Sequence, residues 1–268
     1  MYTIIDRSEQ TVDPVAGPHR PTVARGGPAA RVGIVPPVRV AVRAIAELGP
    51  DDWAEVREFG SRFFEGLFVA SMQTKRDLVL LRGEDGRLLG IGAVEMFDLT
   101  HAKRTVTVVH AGNAAFVDET RGQGYVHRIG FRYFLRAKRR RPWRPVYVAF
   151  TSFSWRSYLS LTRNFRHSWP RRDVPLPDWE AGLYQQLGAR LLGDQYDPRD
   201  GVARNIDRRL RPDIAEIPQR LADDPDVRYF AARNAGYASG DLLLCLAPLS
   251  LVNWSSAVYR MVWRRRRR

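Results

Sequence analysis

Cysteine is almost missing: Cys245 is the only one in 268 residues. That excludes an internal disulfide framework and any zinc site built on cysteine. A chain so poor in thiols suits a reducing compartment and is equally at home elsewhere. Acidic residues are also scarce, 29 against 43 Lys plus Arg, for a formal net charge of +14. The apolar run before Pro248 is too short to cross a bilayer. The start, Met1-Tyr2-Thr3-Ile4-Ile5-Asp6, lacks the basic region and long apolar run of a secretory signal. These features together lead to the expectation of a cytoplasmic protein.

What is present is a core and an excess of arginine. A hydrophobic fraction of 44% and an aromatic fraction of 11% are those of a globular chain. The positive charge is concentrated in two runs, Arg136 to Arg144 and Arg264 to Arg268. Such a protein seeks phosphates or carboxylates: a phosphorylated cofactor, an acidic carrier protein, an anionic membrane or nucleic acid. No helix-turn-helix, RNP-like or zinc pattern accompanies the arginines, which makes nucleic acid the least favoured of the four.

Residues 1–37 are rich in Pro, Gly and Arg without any periodicity, and read as a disordered tail. Alternation begins with Val38, Val40 and Val42, a strand. Pro50-Asp51-Asp52-Trp53 opens a helix carrying Val56, Phe59, Phe63 and Phe64. Leu78 to Leu81 and Leu88 to Phe97, with Asp85-Gly86 between them, predict a hairpin. A strand from Thr105 to Val109 leads through small residues to Phe116 and Val117. A helix from Val126 to Arg140, a buried strand from Val146 to Phe150 and a helix from Trp155 to Phe165 follow.

The segment that carries chemistry is Phe116-Val117-Asp118-Glu119-Thr120-Arg121-Gly122-Gln123-Gly124-Tyr125-Val126. A strand feeding a Gly-rich turn that opens a helix aims backbone N–H groups and the positive helix end at one spot, which suits an anion. On these residues, and on the order of elements from about Val38 to Phe165, the chain resembles the GNAT (N-acetyltransferase) superfamily. Arg121, Gly122 and Gly124 match its pyrophosphate motif, while Val126 stands where Gly or Ala is usual. The resemblance implies an α/β (α+β) fold: a mixed, mostly antiparallel sheet whose central strands splay apart, flanked by helices, with a C-terminal extension. It implies acetyl-CoA or a longer acyl-CoA as donor, its pyrophosphate held by Val117, Arg121, Gly122, Gln123, Gly124, Tyr125 and Val126. No metal is expected. The acyl group would pass directly to an amine.

Catalysis of this type needs a base for the acceptor and an acid for the leaving thiolate. Tyr158 stands where the family places the acid, with Tyr184 a later alternative. Glu95 and His110, late on their strands, are candidates for the base, His110 because an unperturbed imidazole titrates near neutrality. The basic end of the Val126–Arg140 helix could hold the 3′-phosphate of CoA or an acidic acyl carrier protein.

Beyond Phe165 the resemblance fades. Residues 166–248 are either the C-terminal part of the same domain or an acceptor-side extension. Within them lie the proline-laced loop from Trp169 to Pro177, a charge-mixed helical stretch around Pro212 to Ala232 and a strand from Asp241 to Pro248. Residues 249–268 read as an amphipathic helix, Leu251, Trp254, Val258 and Met261 on one face, followed by a polybasic end. That combination suits reversible attachment to an anionic membrane surface, at the inner membrane face; the alternative is a core-packed last helix. Two other classes remain open: a non-catalytic GNAT-like binding module and a basic nucleic-acid-binding protein.

Overall fold

The computed structural model describes residues 38–120 and 123–266, the last six of these by their backbone alone. The expectations for residues 1–37, for Arg121 and Gly122, and for the side chains of Met261 and of Arg264 to Arg268 lie outside the described residues.

In chain order the elements are β1 (Arg39–Ala44), α1 (Pro50–Gly60), β2 (Phe64–Gly66), α2 (Phe68–Gln73), β3 (Asp77–Arg82), β4 (Leu88–His101) and β5 (Arg104–Phe116). Next come α3 (Tyr125–Arg140), β6 (Val146–Ser152), α4 (Trp155–Thr162) and α5 (Asp178–Leu192). The chain ends with β7 (Tyr196–Asp197), β8 (Val202–Ala203), β9 (Arg208–Leu210), α6 (Pro212–Ala215), α7 (Pro225–Arg233), β10 (Leu242–Pro248) and α8 (Leu251–Arg266). Eight strands form one sheet in the order β1-β3-β4-β5-β6-β10-β8-β7, and β2 pairs with β9 in a separate ribbon. Within the large sheet β5 and β6 run parallel, and the other pairings are antiparallel. The fold is therefore a mixed, mostly antiparallel sheet flanked by helices, and β10 joins the C-terminal part to the same sheet through β6.

Local chemistry explains the main elements. Pro50 occupies the first turn of α1, and Asp52 accepts from the Gly49 N–H at 3.0 Å while pairing with Arg43 of β1. β4 and β5 form a long hairpin closed by Ala102 and Lys103, both with positive φ, the backbone that a two-residue hairpin turn needs. Phe64, expected on the first helix, instead pairs with Leu210 in the β2–β9 ribbon and packs its ring 5.4 Å from Phe68. α1 has already stopped at Gly60.

Alternation along β5 divides the core. Val109 points to the side covered by α3, α4, α7 and α8, with Tyr133, Phe134, Tyr158, Phe230 and Trp254. Val106 and Val108 point to the other side, where α5 packs Leu183 and Leu187. Further along that same side α1 and α2 contribute Val56, Phe59, Phe68 and Met72.

The last helix corrects an expectation. Trp254 does not face outward with Leu251 and Val258; its ring is buried against Phe131 at 5.1 Å, Phe165 at 5.7 Å and Phe134 at 5.9 Å. The neighbouring Asn253 accepts from His167 N at 2.8 Å and donates to His167 O at 2.7 Å, which turns that edge of the helix inward. Leu251, Val252, Val258 and Tyr259 stay exposed. Among the described residues no helix is long and apolar enough to cross a membrane.

Candidate active site

β5 is longer than its neighbour's grip on it. Its pairing with β6 runs from Thr107↔Val146 to Ala111↔Phe150, yet β5 continues to Phe116. Over that final stretch, among the described residues, β5 pairs with β4 alone, and β6 with β10 alone. The separation coincides with a bulge. Ile91 faces Ala115 and Ala93 faces Gly112, so β5 holds one residue more than β4, and Asn113 takes a φ of 51°. The Asn113 amide donates to Phe68 O at 2.7 Å, fixing the bulge to the start of α2. The small residues that hide the strand in the sequence are those that let it kink.

β5 then leads into the Gly-rich turn. Val117 N–H donates to Leu89 O at 3.0 Å, and the chain turns through Asp118–Thr120 before α3. Gly124 precedes the helix with φ 80° and ψ 13°, left-handed backbone that glycine adopts without a steric cost. The first-turn N–H groups of Tyr125 and Val126 have no intrahelical carbonyl to bind. Val126 is exposed, so its extra bulk points away from the core; Tyr125 is buried with Arg128 stacked 5.6 Å from its ring. Gln123 donates to Glu119 O at 3.1 Å.

On the face of the sheet opposite α3, Glu95 and His110 stand directly across from each other on β4 and β5. They occupy the seam between the two apolar clusters of that face. Lys75, just after α2, and Arg208 of β9 complete the group. His110 is 8% exposed, and its Nδ1 has no partner among the described residues. Burial, reinforced by the charges of Lys75 and Arg208, lowers its pKa to about 3. The imidazole is therefore neutral at physiological pH, which corrects the expectation of an ordinary titration near neutrality. Burial and the charge of Arg208 lower the Lys75 amine to about 8, with Glu95 acting the other way. Burial also lowers the Arg208 guanidinium, whose Nε is buried without a partner.

Sequence reading missed both cations. Lys75 is placed by Gly112: a Cβ built there would lie 3.0 Å from Lys75 Cε and 3.4 Å from Nζ. Arg208 arrives through the ribbon, where Gly66 pairs with Arg208 and Leu67 N–H donates to Asp207 O at 2.8 Å. The ribbon ties the α1–α2 connection to the C-terminal part and closes this face over the seam.

Tyr158 lies on the other side of the sheet. It is fully buried, its ring 5.4 Å from Phe230 and 6.3 Å from Tyr229, and its hydroxyl has no partner among the described residues. Burial, followed by the influence of Cys245, pushes its pKa far above that of a free tyrosine. Tyr184 is used differently: its hydroxyl donates to Leu244 O at 2.6 Å and holds α5 against β10.

The basic end of α3 stands at the end of the helix, far from the Gly124 turn. Arg136 pairs with Asp77 at 2.8 Å, Arg144 pairs with Asp98, and Lys138 donates to Pro142 O and Arg144 O, each at 2.9 Å. Sixteen residues of helix, at about 1.5 Å each, separate this end from Gly124. A 3′-phosphate is carried on the same nucleotide as the pyrophosphate and cannot span that length. A cleft of about 330 Å³ does lie here, between Asp98 and Thr107 on one side and Arg140 and Arg141 on the other. Trp143 next to it is 95% exposed. Among the described residues no group of three or more His, Cys, Asp or Glu could hold a metal ion.

No family model matches the chain, and no curated protein does. Among solved structures it is similar to a conserved protein of unknown function from Enterococcus faecalis, a probable N-acyltransferase. The identity is 12%, the TM-score 0.33, and the match covers 48% of this chain and 33% of that one. The chain thus spans about a third of that protein's length. It is similar to an acyl-CoA N-acyltransferase from Pseudomonas aeruginosa at 17% identity, covering 52% of this chain and 95% of that one, with a TM-score of 0.32. It is also similar to ElaA of Escherichia coli at 14% identity, covering 53% and 93%, with a TM-score of 0.30.

Proposed function

We propose that this chain is an acyl-CoA-dependent N-acyltransferase of the GNAT type. The observation that carries the reading is the parallel β5–β6 pair, which stops pairing at Ala111 and Phe150 while β5 runs on into Gly124 and the start of α3. A slot that can take an extended arm therefore opens beside a turn that can bind a pyrophosphate. In this reading Val117 to Val126 hold the donor, acetyl-CoA or a longer acyl-CoA, and an acyl carrier protein is a second candidate donor.

The amine nitrogen attacks the thioester carbonyl; the C–N bond forms as the C–S bond breaks. Glu95, with neutral His110 across from it, takes the proton the amine loses. Tyr158, reaching the thioester from the other side of the sheet, gives its proton to the departing thiolate and recovers one through the emptied slot between turnovers. Neighbouring cations Lys75 and Arg208 disfavour an ammonium at the seam, keeping the acceptor nitrogen neutral and nucleophilic. Calorimetric titration with CoA tests the reading. Gly124→Asp places a charge against the pyrophosphate and a side chain on left-handed backbone, and should weaken CoA at least a hundredfold with the fold intact. Unchanged affinity in folded Gly124→Asp would remove the turn from the site. CoA binding with no turnover of any amine would leave a binding module.

A second surface supports peripheral attachment to an anionic membrane. Leu251, Val258 and Tyr259 are 79%, 57% and 67% exposed on one side of α8, whose far end runs into the terminal arginines. Sedimentation with anionic vesicles, lost on deleting residues 264–268, is the expected result. Protein left in the supernatant with both neutral and anionic vesicles would end this proposal.

A further inference from the structure

The seam beneath the ribbon holds more positive charge than it pairs. Among the described residues Lys75 donates only to Ser71 O, at a marginal 3.5 Å. Among the described residues the buried Nε of Arg208 has no partner, nor has the buried Nδ1 of His110. Two carboxylates act on this group from a distance: Glu95 on Lys75, and the exposed Asp207 on Arg208. Among the described residues neither forms a hydrogen bond with Lys75 or Arg208. Cations drawn out of water are stabilised by direct, hydrogen-bonded counter-charge, and removing that counter-charge is costly. Three polar groups that converge with unused hydrogen-bonding capacity are the donor set an oxyanion takes: an ammonium, a guanidinium edge and an imidazole.

Position decides whose oxyanion it is. The Gly124 turn and α3 belong to the opposite side of the sheet, so the phosphates of a donor bound there are already provided for. Lys75 lies against Gly112, the first residue of β5 beyond its last rung with β6. The seam therefore adjoins the slot from the side away from α3, where a molecule meeting the thioester would enter. We infer that Lys75, Arg208 and His110 bind an oxyanion of the acyl acceptor, a carboxylate or a phosphate carried by the same molecule as the amine. This rests on the acyltransfer reading; the anion site itself does not.

The test uses the full-length protein without CoA. Sodium acetate, sodium phosphate and sodium chloride are titrated at equal ionic strength while the His110 imidazole is followed by NMR. The expected result is a saturable change with acetate or phosphate and none with chloride, together with a His110 pKa raised by at least one unit. Saturation by acetate assigns a carboxylate, and saturation by phosphate a phosphate. Lys75→Met and Arg208→Met keep the buried stems and should abolish saturation. Identical, non-saturating responses to all three salts in the unaltered protein overturn the inference, whether or not the variants fold. Saturation that survives in both folded variants overturns it as well. CoA titrated into the same preparation separates the two readings: anion saturation without CoA binding defeats acyltransfer and leaves the anion site standing. With a donor in hand, an amine bearing a free carboxylate or phosphate should exceed its methyl ester at least tenfold in kcat/KM, and Lys75→Met should erase the difference. Equal use of acid and ester would overturn the acceptor assignment.

Discussion

The two faces of the central sheet are built on the same strand and have opposite characters. Val109 enters a side filled by the rings of Tyr133, Phe134, Tyr158, Phe230 and Trp254, where Tyr158 is buried. One residue along, His110 enters the other side and meets Lys75, Arg208 and Glu95. Period-two alternation permits this: a strand can supply an aromatic packing face and a charged seam at once, without either disturbing the other. The difference teaches a division of labour. The aromatic side anchors α3 and α4, and with them the turn and Tyr158, while the charged side is enclosed by α2 and the β2–β9 ribbon.

The strongest challenge to the aromatic side is Trp254→Ala. Its ring touches Phe131, Phe134 and Phe165, so truncation should cost about 3–5 kcal/mol of unfolding free energy, measured by urea denaturation. A cost under about 1 kcal/mol would mean that α8 is only loosely seated, and would return Trp254 to the membrane surface.

Tyr158→Phe sharpens the same side in two directions. Loss of a proton donor should lower turnover about a hundredfold with CoA affinity unchanged. Removing a buried hydroxyl that has no partner should at the same time stabilise the fold by about 1 kcal/mol. Normal turnover in a more stable variant would make Tyr158 a packing residue alone, and Tyr184, bonded to Leu244 O, is poorly placed to replace it.

Legibility in the sequence followed the range of the interactions. The β3–β4 hairpin, α3, β6 and α4 announce themselves through a turn dipeptide or a local period, and each stands within a few residues of its expected bounds. The second half of β5 does not. Ala111-Gly112-Asn113-Ala114-Ala115 carries no alternation, and its strand character comes from pairing with β4. Phe64 fits a helical face equally well, until β9 pairs with it from far along the chain. At the site, Glu95 and His110 were visible as polar residues in apolar strands. Lys75 and Arg208 were not, since nothing local distinguishes them from the other basic residues of the chain. Trp254 fitted the lipid-facing stripe because a helical wheel gives direction but not which neighbours wait there.

The gentlest test of the charged side is acid. His110 has a pKa near 3 in the folded protein and an ordinary value of 6.5 when free, because burial and the charges of Lys75 and Arg208 oppose its protonation. Between these values the unfolded chain binds a proton that the folded chain refuses, so stability falls as pH drops from about 6.5 towards 3. The cost is absent above the free value and complete below the folded one. From pH 7.5 to 5.5 the loss from this group should be about 1 kcal/mol. Other groups titrate in the acid range too, so the comparison needs a variant. His110→Asn keeps a polar side chain without a titrating group and should flatten the stability profile over that interval by about the same amount. An unchanged slope would mean that the imidazole takes up its proton as readily in the folded protein as in the free chain, with a counter-charge from Glu95. The seam would then be a charge pair closed on itself, and the contrast between the two faces would lose its functional meaning.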